Sequence, residues 1–348
     1  MRKLTLSIIT VLLAFSASAQ SPGFDSLLQH YADKENFSGV AILAVNGQLK
    51  AIKAVGGKPP FLPVKPTARF KIASMTKVFT AVLIMKLVEE GRLHLDSTIG
   101  TYYAAYKGPA RNQVTIHQLL TYSSGIENIL DPLGMTPYQT KLPLHLFIER
   151  YCSGKLVDSP GTKSAYSNTE YIILHAILEQ VTGKSYETIL KQVILQPLGL
   201  KNTGIAVGGT KIPGLVPSYI YDDSLKVFTA EEAYLPDMYF GAGFLYSNAK
   251  DLVLLDAALF NNLLLSKATT RQLLKIHESL GNAAYGFWGA SGWGDFSEPF
   301  YYRTGGILGS CSNWIHTMKT GKTIVVLSNS NATNLYELSG KIYQLPAF

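Results

Sequence analysis

Ser74-Met75-Thr76-Lys77 sets a hydroxyl and an amine three residues apart. On a helix that spacing puts both side chains on one face, so Lys77 lies along Ser74. A serine hydroxyl is a weak nucleophile until a base takes its proton. A lysine becomes that base when burial or neighbouring charge depresses its pKa. Ile72, Ala73, Val78 and Phe79 provide apolar surroundings for the pair. Spacing alone does not single it out, because Ser247-Asn248-Ala249-Lys250 repeats it. There Ser247 reads as a helix N-cap, with Asp251 favouring the helix start.

Two further stretches bear on the same chemistry. Tyr166-Ser167-Asn168 ends a polar loop that runs into an apolar helix. A tyrosine can pass a proton to a leaving group if cations hold its phenolate, and an Asn amide can hold a lysine and a substrate amide together. The triplet recurs at Tyr246-Ser247-Asn248, where capping and packing account for it. Tyr302-Arg303-Thr304-Gly305-Gly306-Ile307-Leu308-Gly309 reads as a strand edge whose glycines let a substrate backbone approach. The amides of Gly306 and Ser74 would form an oxyanion hole. Arg303 would set a fixed positive charge near a substrate carboxylate. Lys319-Thr320-Gly321 falls between two strand-like runs and reads as a hairpin tip.

These residues need a scaffold. Phe24, Leu27, Leu28 and Tyr31 have helical spacing. Val40–Val45 and Gln48–Val55 flank Asn46-Gly47, which predicts a β-hairpin with a primed turn. Helices are expected from Ser74 to Glu90, Tyr171 to Val181, Tyr186 to Ile194 (stopped by Pro197 and Gly199) and Asp251 to Phe260. Strands are expected at Tyr285–Ser291, Phe300–Thr304, Cys311–Met318 and Thr323–Ser328, with a closing helix at Leu335–Tyr343. Strands at both ends imply an α+β fold: one antiparallel sheet built from both chain ends, flanked by helices, with a mainly helical lobe of roughly residues 75–284 inserted into it. A cleft would lie between the two parts.

The start has three parts of a secretory signal peptide: Arg2-Lys3, an apolar run Leu4–Phe15, and Ser16-Ala17-Ser18-Ala19. The run is short of the roughly 20 residues a membrane span needs. Cleavage after Ala19 would leave residues 20–348 as one periplasmic or secreted domain without a stable span. It would also lower the formal charge from +7 to +5. The basic residues are scattered, which argues against nucleic-acid binding, and the mild positive field favours anionic substrates. Cys152 and Cys311 do not make a disulfide framework. His-Glu-x-x-His and Gly-rich phosphate loops are absent, so no cofactor or metal is expected.

Taken in order, these stretches resemble the serine β-lactamase and penicillin-binding family, marked by Ser-x-x-Lys, then Tyr-x-Asn, then Lys-Thr-Gly. The likeness is to the branch of class C β-lactamases, D-alanyl-D-alanine carboxypeptidases, D-aminopeptidases and esterases. Arg69–Lys77, Leu87–Leu93, Leu119–Gly125, Pro160-Gly161-Thr162, Tyr166–Asn168, Pro197–Leu200, Gly241-Ala242-Gly243 and Thr304-Gly305-Gly306 carry it. The resemblance implies Ser74 as acylated nucleophile, Lys77 as its activator, Tyr166 as general base and proton carrier, and Asn168 as substrate-orienting amide. It places Arg303, Thr304, Gly305 and Gly306 on the substrate-binding strand. One position departs: the third motif opens with Arg303, where the family has Lys or His. The implied activity is hydrolysis of an amide or ester through an acyl-enzyme, first on D-amino-acid or muropeptide-like substrates, then esters, then β-lactams. A non-catalytic penicillin-binding or cell-wall sensor is the alternative. The implied partner is a small molecule or peptide, including peptidoglycan fragments.

Overall fold

The computed structural model describes residues 22–56 and 60–346. The signal-peptide reading of residues 1–19 therefore lies outside the described residues. Six strands form one antiparallel sheet: β1 (Gly39–Val45), β2 (Gln48–Val55), β3 (Trp288–Ala290), β4 (Phe300–Ile307), β5 (Ser310–Thr317) and β6 (Lys322–Ser328). Their order is β2-β1-β6-β5-β4-β3, so the first hairpin joins the last strands through the β1–β6 pair. Asn46 and Gly47 have φ of 49° and 77°, as the primed turn between β1 and β2 requires.

The run Gly-Val-Ala-Ile-Leu-Ala-Val of β1 is apolar throughout because both faces are covered. Ala41 and Leu43 pack under the helices Pro22–Lys34 and Leu335–Gln344, with Phe24, Leu28, Leu338 and Ile342. Val40, Ile42 and Ala44 face the opposite way, into the larger core shared with the helices Thr76–Glu89 and Ala249–Phe260. Full burial of such a side chain contributes about 1.5–3 kcal/mol. Fixing the backbone costs about 1–2 kcal/mol per residue, so the central strands hold only because helices close both sides.

Between β2 and β3 the chain is mainly helical, with two small sheets added. Phe70–Lys71, Leu245–Ser247 and Gly204–Ile205 form one, and Tyr219–Asp222 with Val227–Ala230 the other. Neither small sheet is foreshadowed by the sequence pattern. The helix from Tyr186 does not stop at Pro197: it passes through a π-helical turn at Lys191–Leu195 into Gln196–Leu198 and ends at Gly199. The expected strand Tyr285–Ser291 shrinks to Trp288–Ala290 because Gly286 turns the chain at φ 83°, against the backbone of Val78.

Candidate active site

Ala73–Met75 form a short 3-10 turn that feeds the helix Thr76–Glu89. Ala73 has φ of 44°, a left-handed conformation costly for a residue with a Cβ. Its surroundings hold it there. The Ile72 N–H donates to the Leu245 carbonyl (3.0 Å), and the Ile72 carbonyl accepts from Met75 N–H (3.1 Å) and the Ser312 hydroxyl (3.3 Å). Gly305 lies against this turn: a Cβ there would fall 2.3 Å from the Ile72 oxygen. Strained backbone beside a reactive side chain is a recurring feature of functional sites.

Lys77 is wholly buried at the base of the turn. Its Nζ donates to Ser74 Oγ (3.1 Å), Asn168 Oδ1 (2.7 Å) and the Ala242 carbonyl (2.8 Å). Burial, helped by the charge of Arg303 and opposed by Tyr166, pulls its pKa down to about 8. A neutral Lys77 has two N–H bonds, which suit the two permanent acceptors, Asn168 Oδ1 and the Ala242 carbonyl. Its lone pair then faces Ser74.

Tyr166 approaches Ser74 from the other side, with its hydroxyl 2.6 Å from Oγ. The ring is 44% exposed, but the hydroxyl points inward to Ser74 and Arg303. Burial alone would raise its pKa; the cations Lys77 and Arg303 more than offset this and hold it at about 8. Two groups titrating together near pH 8 behave as a pair. Whichever of them gives up its proton, a base is left on the Ser74 hydroxyl.

The two Tyr-Ser-Asn triplets are used in opposite ways. Asn248 caps its helix by accepting from the Asp251 N–H (2.8 Å), so the cap is Asn248 and not Ser247. Ser247 instead bonds Thr203. Asn168 stands at the same helix-entry position but makes no cap bond. Its amide bridges Lys77 and the Tyr138 hydroxyl (3.2 Å). The Ser167 hydroxyl accepts from the Thr169 N–H in its stead and donates to the buried Glu170 carboxylate.

Arg303 stands elsewhere than expected. It is 1% exposed, not open to the cleft. Its Nε donates to the Ser74 carbonyl (2.9 Å), Nη1 to the Tyr122 hydroxyl (2.9 Å) and Nη2 to the Tyr166 hydroxyl (3.0 Å). The guanidinium also lies over the rings of Trp288 and Tyr166. With all three nitrogens engaged and the aromatic rings stacked on it, this cation is committed to Ser74, Tyr122 and Tyr166, leaving no face for a substrate carboxylate.

The outer half of β4 is an open edge. β3 pairs only with Phe300–Tyr302, leaving Arg303–Ile307 unpaired on that side. Ile307 and Ser310 flank the two-residue turn Leu308-Gly309, so they form a hydrogen-bonded pair. By alternation, the Thr304 and Gly306 peptide groups point outward. An added Cβ at Gly306 would meet nothing within 4 Å, so the strand is bare there. The Ser74 N–H, in the first turn of its helix, lacks an intrahelical acceptor. Gly306 and Ser74 border one cavity of about 330 Å³. Lys319-Thr320-Gly321 is the β5–β6 turn, held by Glu298 and remote from that cavity.

Several contributors were not assigned roles from sequence. Tyr122, in Thr-Tyr-Ser-Ser-Gly, takes φ of 56° and stacks on Trp288 while accepting from Arg303. Tyr138 and Tyr239 stack at 3.7 Å between centroids and wall the cavity. Nothing in local sequence pattern marks tertiary contacts of this kind. Among the described residues, no group of three or more His, Cys, Asp or Glu could hold a metal ion.

The β-lactamase family profile matches residues 24–347. The chain belongs to the β-lactamase family. Among its β-lactamase-family relatives, PbpX of Bacillus subtilis (strain 168), named for penicillin binding, is 27% identical over 326 residues, covering 91% of this chain and 77% of that protein. Protein flp of Staphylococcus aureus (strain MW2) is 34% identical over 187 residues, which span 51% of this chain and 37% of its own length. The fold matches a penicillin-binding protein from Bacillus halodurans with a TM-score of 0.80 at 24% identity, over 93% of this chain and 99% of that one. It matches the D-amino acid amidase of Ochrobactrum anthropi SV3 with a TM-score of 0.80 at 22% identity, over 92% and 97% of the two chains.

Proposed function

We propose that this protein is an exported serine hydrolase that cleaves an amide or ester through a Ser74 acyl-enzyme. The observation that carries the reading is the position of Ser74 Oγ, 2.6 Å from the Tyr166 hydroxyl and 3.1 Å from Lys77 Nζ. Ser74 Oγ attacks the carbonyl carbon and its proton passes to the Tyr166–Lys77 pair. The Ser74 and Gly306 amides receive the developing oxyanion. Tyr166, open on one flank to the cavity, returns the proton to the leaving amine or alcohol. Water then enters by the same route: its proton goes to the pair and its oxygen to the acyl carbon, the bond from that carbon to Ser74 Oγ breaks, and the pair returns the proton to Oγ.

The substrate class is proposed as a D-amino-acid or muropeptide-type amide first and an ester second, with β-lactams the alternative. The printed names of the relatives support this order, since they include penicillin-binding proteins and an amidase. Export rests on the basic, apolar and Ala-x-Ala parts of the first 19 residues. The test incubates the mature protein and Ser74→Ala with a fluorescent penicillin and a p-nitrophenyl ester. Ser74-dependent ester turnover is expected, with labelling by the penicillin lost in the variant. No adduct and no Ser74-dependent turnover would sink the reading, and a stable adduct without turnover would make the protein a sensor.

A further inference from the structure

The wall of the active-site cavity carries a charge opposite to the one the sequence suggests. Asp131 is the only charged side chain among the described residues that line it. Asp131 is exposed and begins a short 3-10 turn, Asp131–Leu133, in a segment whose Leu130, Gly134, Met135 and Tyr138 also line the cavity. Its backbone N–H is held by Asn128 Oδ1 (3.3 Å), while its carboxylate has no ion-pair or hydrogen-bond partner among the described residues. Its negative charge is felt by the hydroxyls of both Tyr138 and Tyr239, raising their pKa beyond the effect of burial. The carboxylate therefore belongs to the aromatic wall that Asn168 joins to Lys77.

The rest of that wall is apolar or aromatic. Leu130, Met135 and the stacked Tyr138–Tyr239 pair leave room for a compact hydrophobic group. Arg303 is buried and engaged by the Ser74 carbonyl and the Tyr122 and Tyr166 hydroxyls, and no cation is among the described residues that line the cavity. An anionic acyl group would meet a carboxylate on the cavity wall and find no free cation inside. A group with an ammonium and an apolar side chain meets complementary charge and surface.

We propose that Asp131 is a specificity residue that binds a free ammonium on the acyl part of the substrate. The preferred substrates are then aminoacyl amides or esters with an unblocked amine and an aromatic or aliphatic side chain. This rests on the hydrolase reading above and narrows it.

The test compares phenylalanine amide and phenylalanine p-nitrophenyl ester, in both enantiomers, with their N-acetylated forms. Wild type and Asp131→Asn are assayed on all of them, with p-nitrophenyl acetate as a neutral control. Wild type is expected to favour the free amine by about tenfold in kcat/KM, mostly through KM, as one exposed charge-assisted contact allows. Asp131→Asn should lose that preference and hydrolyse p-nitrophenyl acetate as wild type does. Equal or better use of the N-acetylated compounds, or a preference that survives Asp131→Asn, overturns the proposal while leaving the hydrolase reading intact. Failure of wild type on p-nitrophenyl acetate and every other compound overturns both.

Discussion

At the scale of single residues, the chemistry turns on which groups lose a proton near neutral pH. Lys77 and Tyr166 are both drawn down to about 8, for different reasons. Burial dominates for the lysine, and two neighbouring cations overcome burial for the tyrosine. In the proposed mechanism the active form has lost one proton from the pair, so kcat/KM for an ester should rise with pH and level off above about 8. Below that it should fall about tenfold per pH unit. Arg303 lowers both values, repelling the Lys77 ammonium and attracting the Tyr166 phenolate. Arg303→Gln should therefore move the acid limb to higher pH, by about one unit or more. Arg303→Lys, which keeps a charge, should move it less. A pH–rate profile for the three proteins decides this; an unmoved limb in Arg303→Gln would show that the guanidinium does not tune the pair.

At the scale of elements, the site depends on a strand pressed against a turn. Gly305 and Gly306 are neighbours in sequence with opposite surroundings. A methyl group on Gly305 would fall 2.3 Å from the Ile72 oxygen and 2.5 Å from Ser312 Oγ. One on Gly306 would enter open space. Gly305→Ala should force β4 away from the turn that carries Ser74, costing about 2 kcal/mol and lowering Tm by about 5 °C. Ester turnover should fall by more than tenfold, since the Gly306 amide moves with the strand. Gly306→Ala should leave Tm unchanged. Thermal melts and initial rates check both, and equal melts would contradict the packing described here. The same pair marks a limit of sequence reading. Thr-Gly-Gly announces close approach, but not which glycine meets backbone and which meets solvent.

At the scale of the whole molecule, the sheet and the helical segment between β2 and β3 must assemble without a covalent tie. Cys152 is buried at the end of the helix Leu144–Tyr151 and Cys311 lies on β5; both are free. Burial raises the pKa of each thiol, that of Cys311 to about 11. Both should react slowly with a thiol reagent in the folded protein and fully after unfolding, and reductant should not change Tm. Loss of thiol titre in the oxidised protein, or a Tm that falls on reduction, would refute this. Assembly rests instead on burial: Val40 and Ile42 of the first hairpin share one core with Val78 and Val82 of the helix Thr76–Glu89 and Val325 and Leu327 of β6.

Much of this architecture was legible in order and pattern. Strand-like runs around Asn46-Gly47 located the hairpin, further such runs the late strands, and helical spacing of apolar residues the principal helices, because those elements bury surfaces that run along the chain. Ser74, Lys77, Tyr166 and Asn168 were singled out by type, spacing and order, and the fold brings them within hydrogen-bond reach of one another. The bare Tyr-Ser-Asn triplet does not distinguish Asn168 from Asn248; the capping reading of residues 246–250 and the order of the motifs do. The folded chain sets Lys77 beside Asn168 and leaves Asn248 to cap a helix, one residue on from the expected Ser247. Pattern could not tell that Arg303 turns inward onto Tyr122, Tyr166 and Ser74, or that Asp131 lines the cavity. A residue's type is a local property, whereas its burial and the charges that face it come from segments far away in the chain. The sequence alone therefore determined which groups could react. The tertiary structure decided how those groups are assembled, where the cation is held, and which charged side chain lines the cavity.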